Sequence, residues 1–263
     1  MTFRKRVKRW LYGSCPGLRG RFPYFGTKVY FPPGSLAFVA VCNQGSYEPD
    51  NARVLQAMTL PDTWLFDVGA NLGLMSIPVL AAQPKANVLS FEPSKNSLPY
   101  LRRSIAESPY GDRWQLVPKA VGERSGRVGF ALASPENALF DGLLDTARVA
   151  VSCETEVEMT TLDTEWERLG RPAVSAIKID VEGAELRVLD GAARCLASQR
   201  PALLLEWSAT NLPAYNTTPE SLLVFAESSG YRVHTVPHFV AVTNWQELRV
   251  HMAFTENFLL LGN

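Results

Sequence analysis

The sequence predicts an α/β fold: a doubly wound, mostly parallel sheet behind an N-terminal extension. Three observations predict it. From Thr63 onward, short apolar runs of strand length alternate with segments of helical period. A glycine turn, Gly69 to Gly73, directly follows the first of those runs. The 263 residues are 46% hydrophobic and 20% charged, an ordinary globular composition long enough to bury a sizeable core.

Residues 1–60 read as a basic leader plus a hairpin or lid, and residues 61–263 as the main domain. The leader, residues 1–21, carries Arg4, Lys5, Arg6, Lys8, Arg9, Arg19 and Arg21 and no acid. Residues 22–41 are rich in Phe, Tyr, Gly and Pro, with a turn at Pro32–Pro33–Gly34. Glu48 to Met58 reads as a helix. Trp64–Asp67 is the first buried strand, with a helix opening near Leu72 that Pro78 should kink. Asn87–Phe91 is the second strand, and Ser94 caps a helix running to about Glu107. Trp114–Val117 is the third. Arg127–Leu132 and Glu154–Met159 are extra strands around a variable middle, and Thr161 to Leu169 is a short helix. Val174–Asp180 is the fourth core strand, followed by one helix from about Ala184 to Ala197. Ala202–Glu206 is the fifth. Pro219–Ser228 is helical, Tyr231–Thr235 is a strand and Phe258–Leu261 closes the chain. In such sheets, ligands sit beyond the carboxyl ends of the strands, where the strand order reverses.

Phe66–Asp67–Val68–Gly69–Ala70–Asn71–Leu72–Gly73 ends the first strand. Its glycines allow a tight turn and a close backbone approach to a ligand. A nicotinamide dinucleotide would call for G-x-G-x-x-G, but Asn71 takes the middle glycine's place and crowds a pyrophosphate. Asp67 before the turn would repel one. Both suit a phosphate-free ligand with a cationic amino end, and S-adenosylmethionine is such a ligand. Glu92, ending the second strand before Pro93, can accept hydrogen bonds from both ribose hydroxyls. The backbone at Val117–Pro118–Lys119–Ala120–Val121 can meet an adenine edge. The expected cofactor set is therefore Asp67, Gly69, Ala70, Asn71, Gly73, Glu92 and Ala120.

Ile177–Lys178–Ile179–Asp180–Val181–Glu182–Gly183–Ala184–Glu185 ends the fourth strand. Strand alternation puts Lys178 and Asp180 on one side. Asp180 and Glu182 should face the crevice, and Glu185 lies in the first turn of a helix, where the macrodipole favours an anion.

With these motifs in hand, the chain resembles the FkbM family of methyltransferases. The resemblance rests on Phe66 to Gly73, Phe91–Glu92–Pro93, Lys178 to Glu185 and Pro201–Ala202–Leu203–Leu204–Leu205–Glu206, and it runs from roughly Tyr47 to Glu206. It implies a class I methyltransferase, Rossmann-like fold and methyl transfer to the hydroxyl of a sugar, glycolipid or polyketide-like metabolite. The leader and residues 133–153 lie outside the matching motifs.

Methyl transfer to oxygen is an in-line displacement, and an aliphatic hydroxyl needs a general base. Asp180 is the first candidate, Glu182 the second and Glu206, ending the fifth strand, the third. Lys178, inside an apolar strand, reads as a paired structural lysine. No metal site is expected: His234 and His238 are four apart, but Pro237 argues against a helical pair.

The leader leaves 19 of the 26 basic residues against all 26 acids in the rest of the chain. A mildly acidic body argues against an RNA methyltransferase, since phosphate binding needs a basic surface. The intact glycine turn and acidic strand ends argue against a catalytically silent binding module. The leader itself could touch an anionic membrane surface, because Trp10, Leu11 and Tyr12 follow its cations. No apolar run approaches the roughly 20 residues of a membrane span. The N-terminus lacks the apolar core of a secretory signal, and the scattered Cys15, Cys42, Cys153 and Cys195 read as reduced thiols of a cytoplasmic protein.

Overall fold

The computed structural model describes residues 2–263. The extension holds helix α1 (Phe3–Ser14), the hairpin β1 (Arg21–Tyr24) and β2 (Thr27–Tyr30), and helices α2 (Leu36–Gln44) and α3 (Pro49–Met58). Then come β3 (Trp64–Val68), α4 (Ser76–Ala82), β4 (Asn87–Phe91), α5 (Leu98–Ala106) and β5 (Trp114–Val117). A middle section contributes β6 (Ala120–Val121), β7 (Gly126–Leu132), β8 (Cys153–Thr160) and α6 (Leu162–Arg168). The remainder is β9 (Val174–Ile179), α7 (Glu185–Asp190), α8 (Ala193–Gln199), β10 (Ala202–Glu206), α9 (Ser221–Ser229), β11 (Tyr231–Thr235), β12 (Ala241–Val242), α10 (Trp245–Met252) and β13 (Asn257–Gly262).

The main sheet runs β5-β4-β3-β9-β10-β13-β11-β12. Neighbours from β5 to β10 pair in parallel, while β13 is antiparallel to both β10 and β11. This is the doubly wound arrangement the sequence predicts. The chain moves outward from β3 through β4 to β5 and later returns to place β9 on the other side of β3. The order therefore reverses between β3 and β9, and the crevice lies at their carboxyl ends.

Strand alternation divides the core between the two faces of the sheet. Phe66, Val68, Phe91, Ile177 and Ile179 pack with residues of α6 to α10 such as Trp166, Val188 and Leu248. Leu65, Val88, Ala176 and Leu204 pack on the opposite face with Phe38, Leu55, Ile77 and Leu101 from α2 to α5. The extension thus shares a core with the body. The strands β6, β8 and β7 form a separate three-stranded sheet in that order.

Several local expectations are corrected. The hairpin turns at Phe25–Gly26, ahead of Pro32–Pro33–Gly34, and the second half of the presumed lid is the helix α2, capped by Ser35. The helix after the glycine turn starts at Ser76 rather than near Leu72. Pro78 is therefore its third residue, within the first turn, where proline is tolerated better than in a helix interior. Ser94 makes the expected cap bonds, its Oγ accepting from Asn96 N–H and its carbonyl from Leu98 N–H, although the regular helix α5 begins only at Leu98. The single helix expected from Ala184 to Ala197 is two helices, α7 and α8. They break at Gly191, where a Cβ would fall 2.0 Å from the Gly122 carbonyl oxygen. Asp180 lies one residue past the end of β9. All four cysteines are free, and among the described residues no helix is long and apolar enough to cross a membrane.

Candidate active site

A cleft of about 950 Å³, its open mouth included, lies at the carboxyl ends of β3, β9 and β10. Gly69, Ala70, Asn71, Glu92, Asp180, Glu182 and Glu206 line it. A smaller, more apolar slot adjoins it and shares Gly69, Glu92, Asp141 and Asp180. Ala120 lines the slot with Phe91, Pro93, Val121, Phe130 and Leu143.

The two sequence motifs meet at one point. Gly69 has a φ of +76°, and a Cβ there would fall 1.8 Å from the Asp180 carbonyl oxygen. Only glycine permits that approach. Asn71, also left-handed at φ +50°, sends its amide to Ser97 Oγ and to the Ala138 carbonyl, both 3.0 Å away. Glu92 is buried and receives backbone N–H groups from Asn71 and Ser94, each at 2.7 Å. A carboxylate has about four lone-pair sites, so acceptor capacity remains for a ribose. Burial pushes Glu92 up to about 7, against the pull of those two N–H groups.

Two expected cofactor residues line neither the cleft nor the slot. Asp67 is fully buried beneath the glycine turn, accepting from Ser76 Oγ and standing 3.7 Å from Lys178 Nζ. Ser76 also meets Ser90, which accepts from the Trp114 indole at 2.8 Å. Asp67 therefore anchors a buried polar chain from β5 to β9. Gly73 faces the core, where a Cβ would fall 2.5 Å from the Trp114 ring.

Lys178 Nζ holds both motifs: it donates to the Gly69 carbonyl at 2.9 Å and pairs with Asp180 Oδ2 at 3.1 Å. Burial pulls its ammonium down, but Asp180, Asp67 and Glu48 outweigh that, and the net shift is upward. Lys178 is thus a paired lysine at the floor of the cleft.

Asp180, Glu182 and Glu206 each present a carboxylate oxygen within 4.8 Å of the others. Burial, then the nearby Asp180 charge, pushes Glu182 up to about 8 and Glu206 well above the carboxylate range. The turn carrying the first two is held by Glu185, whose Oε1 accepts from Val181 N–H and Gly183 N–H. Glu182 itself has a left-handed backbone at φ +57°. Asn211 donates to Glu182 Oε2 at 3.0 Å. The spacing of the three carboxylates would admit a divalent cation, but acidic clusters are common without one.

Sequence reasoning missed Arg148. It reaches in from the variable middle to within 3.2 Å of Glu182, 3.8 Å of Glu206 and 3.9 Å of Glu256, over the Phe140 ring. Asp141 was missed as well. It accepts from Ala133 N–H, Ser94 Oγ and Asn96 Nδ2 and so ties the middle section to the turn after β4. Tyr47 and Glu48 close the cleft from the extension. No periodicity or motif marks these positions.

Residues 67–233 match the profile of the methyltransferase FkbM domain. Among curated proteins, the chain is 25% identical over 171 residues to the 2-O-methyltransferase NoeI of Sinorhizobium fredii, covering 56% of this chain and 65% of NoeI. It is 29% identical over 153 residues to the hexuronic acid methyltransferase AglP of Haloferax volcanii, covering 57% and 59%. The matches thus span under two thirds of those relatives' length. A solved FkbM methyltransferase from Methylobacillus flagellatus aligns over 86% of this chain and 53% of its own, at 17% identity and a TM-score of 0.48. The family match covers more than half of the sequence and contains both motifs that meet at the cleft: the chain belongs to the FkbM methyltransferase-domain family.

Proposed function

We propose that the protein is an S-adenosylmethionine-dependent O-methyltransferase acting on a hydroxyl of a sugar, glycolipid or secondary metabolite. One observation carries the reading: three carboxylates, Asp180, Glu182 and Glu206, face the glycine turn across a single cleft. Seven acidic residues and only two basic ones line that cleft. That lining offers a pyrophosphate few cations, and a ligand's sulfonium and ammonium charges would favour the ionised form of its raised carboxyls. The names of NoeI and AglP, both methyltransferases and the second acting on a sugar acid, support the acceptor class.

The residues fit the methyl donor. Gly69 and Ala70 line the cleft beside Glu92, which retains acceptor capacity for ribose hydroxyls, and the slot at Ala120 offers an apolar wall for adenine. The donor, when bound, supplies an activated methyl group. The chain's own contribution is positioning and proton removal. Asp180, paired with Lys178 at the edge of the cleft, takes the acceptor's proton in this reading. Glu206, whose carboxylate lies within 4.8 Å of Asp180, and Glu182, held by Arg148 and Asn211, orient the hydroxyl.

The test is transfer of a labelled methyl group to a panel of sugar, glycolipid and polyketide hydroxyls. Label in an ether product supports the reading. Label recovered only in nucleic acid, or in no acceptor class, contradicts it.

A further inference from the structure

The basic leader has no part in the site, yet residues 3–14 form a regular helix. α1 carries Arg4, Lys5, Arg6, Lys8 and Arg9 with no acid, and none of its residues is buried. Phe3, Val7 and Trp10 recur at i, i+4 and i+7, one stripe of a helix with 3.6 residues per turn. They are 82%, 40% and 60% exposed. Arg4 and Arg6 flank that stripe on either side.

The opposite face packs on the protein. Tyr12 sits against the core, and Gly13 lies against the Phe38 ring of α2. The apolar stripe therefore faces solvent. A cleft lined by Arg19, Arg21, Tyr100 and Arg103 opens beside the last turn of α1 and extends the positive surface. α2 in turn touches the turn Pro135–Phe140, whose Ala138, Leu139 and Phe140 wall the active-site cleft.

We infer that α1 is an interfacial helix that docks the protein on an anionic lipid surface. Phe3, Val7 and Trp10 enter the boundary between headgroups and acyl chains, while the flanking arginines pair with anionic headgroups. Charge complementarity selects this occupant: the stripe is apolar, the charged residues flanking it, Arg4 and Arg6, are both cationic, and the rest of the chain is acidic. Nucleic acid would use the cations but leave the apolar stripe in water.

The experiment is co-sedimentation of the full chain with phosphatidylcholine vesicles, with or without roughly a third phosphatidylglycerol, at low and high salt. The expected result is binding to the anionic vesicles alone, weakened by salt. Phe3→Ser/Val7→Ser/Trp10→Ser should weaken it at least about tenfold, and Arg4→Glu/Arg6→Glu by a similar factor. Both variants should keep wild-type thermal stability and S-adenosylmethionine affinity. Absence of vesicle binding by the wild type at low salt overturns the inference. So does binding that the triple serine variant retains, or capture of single-stranded RNA in preference to vesicles.

Discussion

Gly69 and Asp180 meet backbone to backbone: a methyl group on residue 69 would fall 1.8 Å from the Asp180 carbonyl oxygen. One contact thus joins the turn that ends β3 to the turn that ends β9, and Lys178 clamps both from below. Gly69→Ala must push them apart at a φ of +76° that alanine resists. It should lower the melting temperature and weaken S-adenosylmethionine binding by at least about tenfold. Calorimetry on folded protein, checked by circular dichroism, reads both; wild-type values would break the link between contact and cofactor site.

Asp180→Asn keeps the shape and removes the basicity. Turnover should fall by about 10²–10⁴-fold, with cofactor affinity within about threefold of wild type. Glu182→Gln and Glu206→Gln should act mainly on the acceptor's KM. A dead Glu182→Gln beside an active Asp180→Asn would transfer the base to Glu182.

Asp67 should act through the fold. It is fully buried and opposite Lys178, so Asp67→Ala leaves a buried cation short of one partner. Unfolding by urea should show a loss of about 3 kcal/mol, while the folded fraction still binds the cofactor. Full stability with abolished binding would return Asp67 to direct contact with the ligand.

Three buried carboxyls set a pH dependence. Burial raises Glu182 to about 8 and Glu92 and Glu185 to about 7, from an ordinary 4.5. Each holds its proton more tightly folded than unfolded, so its stabilising contribution is complete below 4.5 and is lost as pH rises through 7 to 8. The melting temperature of the free protein should therefore fall between pH 5 and pH 8.5. A cationic cofactor favours the ionised carboxyls, so binding should release protons and tighten over the same range. Glu182→Gln should flatten both curves; unchanged curves would remove Glu182 as the titrating group.

Arg148 gives the cluster its positive charge from a loop. Arg148→Ala should raise the acceptor's KM and move the acid limb of the turnover profile to higher pH, since Glu182 loses the cation that lowers it. Arg148→Lys should recover part of both. An unaltered profile would make the contact incidental.

The main sheet was legible because its strands are short apolar runs bounded by turn residues, from Trp64 to Glu206. Both motifs could be placed at strand ends for the same reason. Helix boundaries were less legible. Gly191 breaks α7 from α8 because the Gly122 backbone crowds it, a long-range cause absent from local sequence. Asp67 looked like a ligand because it adjoins the glycine turn, but in β3 it points beneath the turn toward Ser76. Arg148, Asp141 and Tyr47 reach the cleft only through tertiary packing, and no spacing rule marks them. The apolar stripe of α1 was partly visible as Trp10 after a cationic run; Phe3 and Val7 joined it only once the segment proved helical.

The central claim is that the glycine turn and Glu92 hold S-adenosylmethionine. Calorimetric titration of the wild-type protein with S-adenosylmethionine and, separately, with NAD tests it most directly, repeated with Glu92→Ala. The account predicts saturable one-to-one binding of S-adenosylmethionine, at least about tenfold weaker in Glu92→Ala, and no measurable heat with NAD. Tighter binding of NAD, or wild-type S-adenosylmethionine affinity in Glu92→Ala, would contradict it.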